Sequence, residues 1–192
     1  MDCETRRLFA LDAALRAEGD QMLSETGLGA LLAEAGYQPV GSYAMHTMTW
    51  RDLDYHRYAR PEWEENWQFA TLLAKTGSCY RLTVEDFTEH PSPSLPRGIY
   101  IGARVFWREL VWKLDLWTAF REEFPTDRNE VWQRLLTEDK RARILAIKEA
   151  ICDGPQYRRT ILSIDIYEAV LECGITEVDD FLRWCEQRTE TR

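Results

Sequence analysis

Two aspartates, Asp52 and Asp54, stand in the run PVGSYAMHTMTWRDLDYHRY, with nine residues between them and the pair Gly41-Ser42. On a strand, side chains at i and i+2 share a face, so both carboxylates can reach one cation. The Gly-Ser pair sits where a strand should turn, and such a turn leaves bare backbone N–H groups and a hydroxyl for an anion. A third acid, Asp115, lies in the apolar run LVWKLDLWTAF. A divalent-cation cluster of carboxylates facing a phosphate-holding turn is the chemistry of nucleotidyl transfer.

Each acid also has a plainer reading. Aspartate is disfavoured in strands, but the Asp52/Asp54 pair alone reads equally well as a solvent-facing strand edge. Asp115 tips the balance, because Val111, Trp112, Leu114, Leu116 and Trp117 surround it and a lone carboxylate in apolar surroundings is costly. A bound cation would relieve that cost, as would an arginine such as Arg104 on the preceding strand.

The elements that must position these groups follow from periodicity. Residues 3–18 carry Leu8, Leu11, Ala14 and Leu15 at helical spacing, with Gly19 expected to close that helix. A second helix is expected from near Ser24 to Gly36. YQPVGSYA reads as a short strand entering a turn, and WRDLDYHRY as a strand with Asp52, Asp54 and His56 on one face and Leu53, Tyr55 and Arg57 on the other. Pro61 opens a helix whose inner stripe is Trp63, Trp67, Ala70 and Leu73/Ala74. CYRLTVEDFTEH is a strand, and the proline-rich HPSPSLPRG is a loop. GIYIGARVF and ELVWKLDLWTAF form a hairpin turning near Trp107-Arg108, with Asp115 on its second strand. Beyond Phe124-Pro125 four segments have helical periodicity, with starts such as Thr126-Asp127 and Thr176. The chain is thus expected to divide into an α/β domain over 1–124 and a helical region over 125–192, ending in a polar tail from Gln187.

With 192 residues, 45% hydrophobic and 30% charged, the composition is that of a folded globular protein. No apolar run reaches the ~18 residues of a membrane span, and the N-terminus lacks a signal-peptide core, so a cytoplasmic protein with no membrane partner is expected. A net charge of −9 argues against gripping nucleic acid, whose phosphates call for Lys and Arg. A triphosphate remains compatible if a metal ion supplies the positive charge. Cys3, Cys79, Cys152, Cys173 and Cys185 are scattered without ligand spacing and read as free thiols in a reducing compartment.

The order Val40-Gly41-Ser42, Asp52-Leu53-Asp54-Tyr55 and Leu114-Asp115-Leu116 resembles the nucleotidyltransferase superfamily of polymerase-beta-like fold. The phrases GSYAMHTMTWRDLD and IYEAVLECGITEVDDFLRW are similar to bacterial stand-alone nucleotidyltransferases. The resemblance implies an α+β fold, a mixed sheet flanked by helices with a helical C-terminal region. It also implies the transfer of a nucleoside monophosphate from an NTP such as ATP to a small hydroxylated acceptor. Asp52, Asp54 and Asp115 would be the catalytic and metal-binding residues for Mg²⁺ or Mn²⁺, and Gly41 and Ser42 would hold the β- and γ-phosphates. The alternatives are a catalytically inactive binding or regulatory module of this fold, or a toxin–antitoxin component acting on a protein or RNA.

Relatives of this type are expected to carry a glycine near position 46, opening the short helix after the Gly-Ser turn. Here it is His46: a nucleotide contact, a capping residue, or a mark that phosphate binding has drifted. His56 has the same standing beside the acids, with packing as the plainer account. Trp63, Trp67, Trp112, Trp117, Trp132 and Trp184 read as core, whereas Trp50 and Trp107 are the candidates for touching a ligand. Arg104, Lys113, Lys148, Tyr157 and Arg158 could meet phosphate or acceptor, although single basic residues are usually just solvated.

Overall fold

The computed structural model describes residues 1–92, 95–124, 127–152, 154, 157 and 161–189. Pro93, Pro125, Thr126, Arg158 and the end of the polar tail lie outside them, as do the side chains of Asp127, Asn129 and Thr189. The order is α1 (Cys3–Glu25), α2 (Leu28–Glu34), β1 (Gln38–Val40), α3 (Gly41–Ala44), β2 (Asp52–Tyr58), α4 (Trp63–Lys75), β3 (Cys79–Asp86), β4 (Gly98–Trp107) and β5 (Leu110–Ala119). A 3₁₀ turn at Arg121–Glu123 precedes α5 (Asp127–Leu135), α6 (Glu138–Ile151), α7 (Ser163–Leu171) and α8 (Val178–Thr189).

The strands form one mixed sheet in the order β1-β2-β5-β4-β3. β2 and β5 run parallel, while the pairs β1/β2, β4/β5 and β3/β4 are antiparallel. Alternation gives the sheet two different faces. Leu53 and Tyr55 of β2, Ile101, Ala103 and Val105 of β4, and Trp112, Leu114 and Leu116 of β5 are buried in one cluster with α1, α2 and α4. The opposite face carries Asp52, Asp54 and His56 from β2 and Lys113, Asp115 and Trp117 from β5, placed side by side by the parallel register.

The β4–β5 turn is made by Arg108 and Glu109, both at positive φ (48° and 64°), which matches the twist of a tight hairpin. Neither is glycine. Arg108 is held there by an ion pair to Glu25 at 2.6 Å and by its guanidinium lying 4.6 Å from the Trp107 ring centroid.

Two expectations about the helices fail for identifiable reasons. Gly19 does not end a helix, since α1 runs on to Glu25. It is small because a Cβ there would lie 3.1 Å from Trp112 Cη2. On α4 the buried positions are Asn66, Phe69, Ala70 and Leu73, so Trp63 and Trp67 stack on each other at 5.9 Å outside the core, 44% and 51% exposed. The helix is rotated so that Asn66 can join Thr118 (2.7 Å) beneath the sheet, where the Thr118 and Tyr37 hydroxyls are themselves 2.9 Å apart.

The C-terminal helices build a second buried cluster from Trp132, Ile144, Ile147, Ile166, Tyr167, Val170 and Phe181. Met45 is buried in it and Trp50 packs against it, both from the segment between α3 and β2. Asp12 of α1, fully buried, ties that segment down. It accepts from the Met48 N–H at 2.8 Å and pairs with Arg16 at 3.0 Å and with Arg141 of α6 at 2.7 Å. Among the described residues no helix is long and apolar enough to cross a membrane.

Candidate active site

β1 pairs with β2 so that Val40 lies across from Asp54. The chain then turns at Gly41, whose φ of +61° is left-handed. A Cβ on Gly41 would sit 2.7 Å from Asp54 Oδ2, so this turn touches the acid because the residue has no side chain. Ser42 follows, buried at the start of the four-residue α3.

Asp52 and Asp54 share a face of β2, and the parallel register sets Asp115 of β5 directly across from Asp54. One ligand oxygen or more of each of the three falls within 4.8 Å of the others. Burial first, and then the charges of Asp52 and Asp115, push the Asp54 carboxyl up to about 8 from its ordinary 3.8, against Lys113 and Lys148. Three carboxylates this close repel one another when ionised, and a divalent cation would relieve that repulsion. Their hard oxygen donors suit Mg²⁺ or Mn²⁺ over zinc, and the glycine at 41 leaves the Asp54 oxygens uncrowded.

The neighbours of the triad were only partly visible beforehand. Lys113, two residues before Asp115 on the same face, places its Nζ against Asp115 Oδ2 and 3.4 Å from Asp52 Oδ2. The Tyr100 hydroxyl on β4 donates to Asp115 Oδ1 at 2.8 Å. Burial and the Asp115 charge both raise its pKa, so the phenol stays protonated and donating. Gly102 makes room for this lean, since a Cβ there would lie 2.6 Å from the Tyr100 oxygen. Tyr100 has no sequence signature of its own. Lys113 could have been singled out, because i and i+2 in an apolar strand must share a face. Arg104, the alternative to a bound cation as partner of Asp115, lies across from Lys113 and donates to the Ala103 carbonyl at 3.2 Å.

Trp50 does reach the site, donating from Nε1 to Asp52 Oδ2 at 3.3 Å. Behind it, the Tyr157 ring meets its edge at 5.1 Å, and Lys148 Nζ lies 4.6 Å from its ring centroid. Lys148 is fully buried and donates to the Thr47 carbonyl at 2.9 Å. Trp107, the other expected ligand contact, is 8% exposed and donates to Glu25 at 2.8 Å, which gives it a structural role.

His46 does not open a helix. It follows the end of α3 at φ 57°, a left-handed conformation that glycine adopts more readily, and this accounts for the glycine expected there. Its carbonyl accepts from Arg141 at 2.6 Å. Burial and the Arg16 charge hold the ring's pKa below its ordinary value, and the other charges acting on it are Asp12 and Arg141. His56 stacks on Phe124 at 4.0 Å, and burial pushes its pKa down to about 4, so it is neutral near pH 7.

No protein-family profile matches the chain, and no curated protein matches it in sequence. Among solved structures it is similar to a chain of the poly(A) polymerase complex GLD-2 - GLD-3, with a TM-score of 0.53 at 12% identity. The likeness covers 93% of this chain and 61% of that one, so the protein spans about three fifths of its neighbour. At this identity the likeness establishes the fold: an α+β nucleotidyltransferase fold whose five-stranded mixed sheet is flanked by helices.

Proposed function

We propose that the protein is a Mg²⁺- or Mn²⁺-dependent nucleotidyltransferase that moves a nucleoside monophosphate from an NTP to a small hydroxylated acceptor. The observation that carries this reading is the meeting of Asp52, Asp54 and Asp115 within 4.8 Å, beside a left-handed Gly41 that leaves no side chain between turn and acids. The likeness to a poly(A) polymerase complex supports the reaction class.

Asp52 and Asp54 would hold one divalent ion, and Asp115 would complete a second position with them. Bound divalent ions would supply two effects, a lower pKa for the acceptor hydroxyl and neutralisation of the leaving pyrophosphate. Asp115, oriented by Tyr100, would take the hydroxyl proton. The acceptor oxygen then bonds to the α-phosphorus as the bond to the bridging oxygen breaks in line, and the electron pair leaves with pyrophosphate. The Gly41 backbone and Ser42 would hold the β- and γ-phosphates, with His46 as a nucleotide contact.

In this reading residues 1–124 carry the chemistry, and the helical region 125–192 backs Trp50 with Tyr157 and Lys148. The net charge of −9 favours a cationic, hydroxylated small molecule such as an aminoglycoside over nucleic acid as acceptor, in a cytoplasmic setting.

Calorimetric titration of ATP with Mg²⁺ into wild type and into Asp52→Ala/Asp54→Ala tests the nucleotide half. Binding by wild type alone is expected, and no wild-type binding at millimolar ATP would sink the reading. Label transfer from α-labelled NTPs to aminoglycosides and to oligo(A) RNA tests the acceptor. Label on RNA alone would replace the small-molecule acceptor with nucleic acid.

A further inference from the structure

Four charged side chains form a square on the open face of the sheet. The register of β2 and β5 sets Asp52 across from Lys113 and Asp54 across from Asp115. Three corners are carboxyl groups and the fourth is an ammonium group. Both oxygens of Asp115 are engaged by protein donors, Oδ1 by the Tyr100 hydroxyl and Oδ2 by the Lys113 ammonium. Asp52 Oδ2 lies between the Lys113 ammonium at 3.4 Å and the Trp50 indole N–H at 3.3 Å.

We propose that Lys113 is the internal cation of the metal-free site, bridging Asp52 and Asp115 until a divalent ion displaces its ammonium group from between them. This inference rests on the metal reading above.

A divalent ion entering this triangle meets a positive charge already in contact with two of its three ligands. Tyr100 is neutral and presents no such conflict. Mg²⁺ needs direct carboxylate oxygens at about 2.0–2.1 Å, and Asp115 Oδ2 is available only once Lys113 swings off it. A flexible four-carbon stem permits that swing. Lys113 therefore offsets the repulsion between Asp52 and Asp115 and, by the same contact, weakens their grip on a bare metal ion.

The test is the affinity of the full chain for Mn²⁺ alone, by calorimetry and by electron paramagnetic resonance, in wild type, Lys113→Gln and Lys113→Arg. Removing a unit charge about 4 Å from a divalent ion should tighten Mn²⁺ binding about tenfold or more in Lys113→Gln, whereas Lys113→Arg should stay near wild type. Equal or weaker binding by Lys113→Gln, with wild type binding normally, overturns the inference and leaves the metal reading intact. No binding by wild type or by Lys113→Gln at millimolar Mn²⁺ removes the metal reading and this inference with it.

A second measurement needs no variant. Acetic anhydride labelling of the wild type, read residue by residue by mass spectrometry, should modify Lys113 several-fold faster when Mg²⁺ is saturating. Unchanged or slower labelling of Lys113, with Mn²⁺ binding intact, overturns the displacement.

Discussion

Replacing Asp54 with asparagine should make the metal-free protein more stable at alkaline pH. The Asp54 carboxyl is pushed up to about 8, by burial first and then by Asp52 and Asp115, from 3.8 in the open chain. The folded state therefore binds this proton more tightly than the unfolded state. Its contribution is fully present below the unfolded value and is lost as pH rises through the folded one. The complete loss is bounded at about 6 kcal/mol, at about 1.4 kcal/mol per pH unit, and partial exposure of the site and coupling within the triad make the realised value smaller. His56 works with the opposite sign, since burial lowers its pKa to about 4 and its stabilisation is complete above its unfolded value. Between about pH 6.5 and 8.5 only the Asp54 trend remains from this pair, worth about 2 kcal/mol or less.

For a domain of this size that is a fall in melting midpoint of about 4–8 °C. Differential scanning calorimetry in EDTA across that interval should show the fall in wild type and a flatter line for Asp54→Asn. Saturating Mg²⁺ should restore the wild type most at the alkaline end, where its three carboxylates are charged. Parallel wild-type and Asp54→Asn lines in EDTA would refute the burial-and-repulsion account of the triad.

Gly41→Ala puts a methyl group 2.7 Å from Asp54 Oδ2 at a φ of +61°, so it should cost about 1–3 kcal/mol of stability and weaken Mn²⁺ binding, read by urea melts and calorimetry. Gly19→Ala gains up to about 1 kcal/mol in helix propensity, but its Cβ meets the Trp112 ring at 3.1 Å. A net loss of about 1 kcal/mol is expected, and a stabilised Gly19→Ala would show that the ring yields freely. Asp12→Ala strands the Arg16 and Arg141 charges around a fully buried position, and urea unfolding should show a loss of about 3–5 kcal/mol.

The three carboxylates were legible because aspartate is out of place in strands, and alternation assigns its face without any knowledge of partners. Lys113 shares a face with Asp115 by alternation alone, but the reach of Tyr100 to Asp115 depends on the exact register of the β4/β5 hairpin, and the meeting of Asp115 with Asp54 depends on which strand lies on the other side of β5. The parallel β2/β5 pairing joins segments some 60 residues apart in sequence, and no local pattern encodes it. Gly19 was misread for a related reason: the same residue type serves a helix end and a close packing contact, and only the Trp112 ring decides between them. On α4, tryptophan spacing suggested a core stripe that the sheet does not accept, because Asn66 takes the buried position to bond Thr118. His46 shows the reverse case. The expectation of glycine there was informative, and the positive φ supplies its physical reason.

The carboxylate geometry depends on both buried clusters. Asp52 is the first residue of its strand, and the segment before it is fastened from the helical side: Met45 is buried among the C-terminal helices, and Trp50 packs on them while bonding Asp52. Arg141 of α6 binds the His46 carbonyl and, through Asp12, the Met48 N–H. Lys148 of the same helix binds the Thr47 carbonyl. Three consecutive residues, His46, Thr47 and Met48, are thus held by α6 directly or through one buried aspartate. A shift of α6 would be transmitted to Trp50 and the start of β2 before it reached Asp115, which β4 and β5 hold independently. The helical region therefore braces the start of β2, and with it Asp52, in addition to the β2/β5 pairing that sets Asp52 across from Lys113.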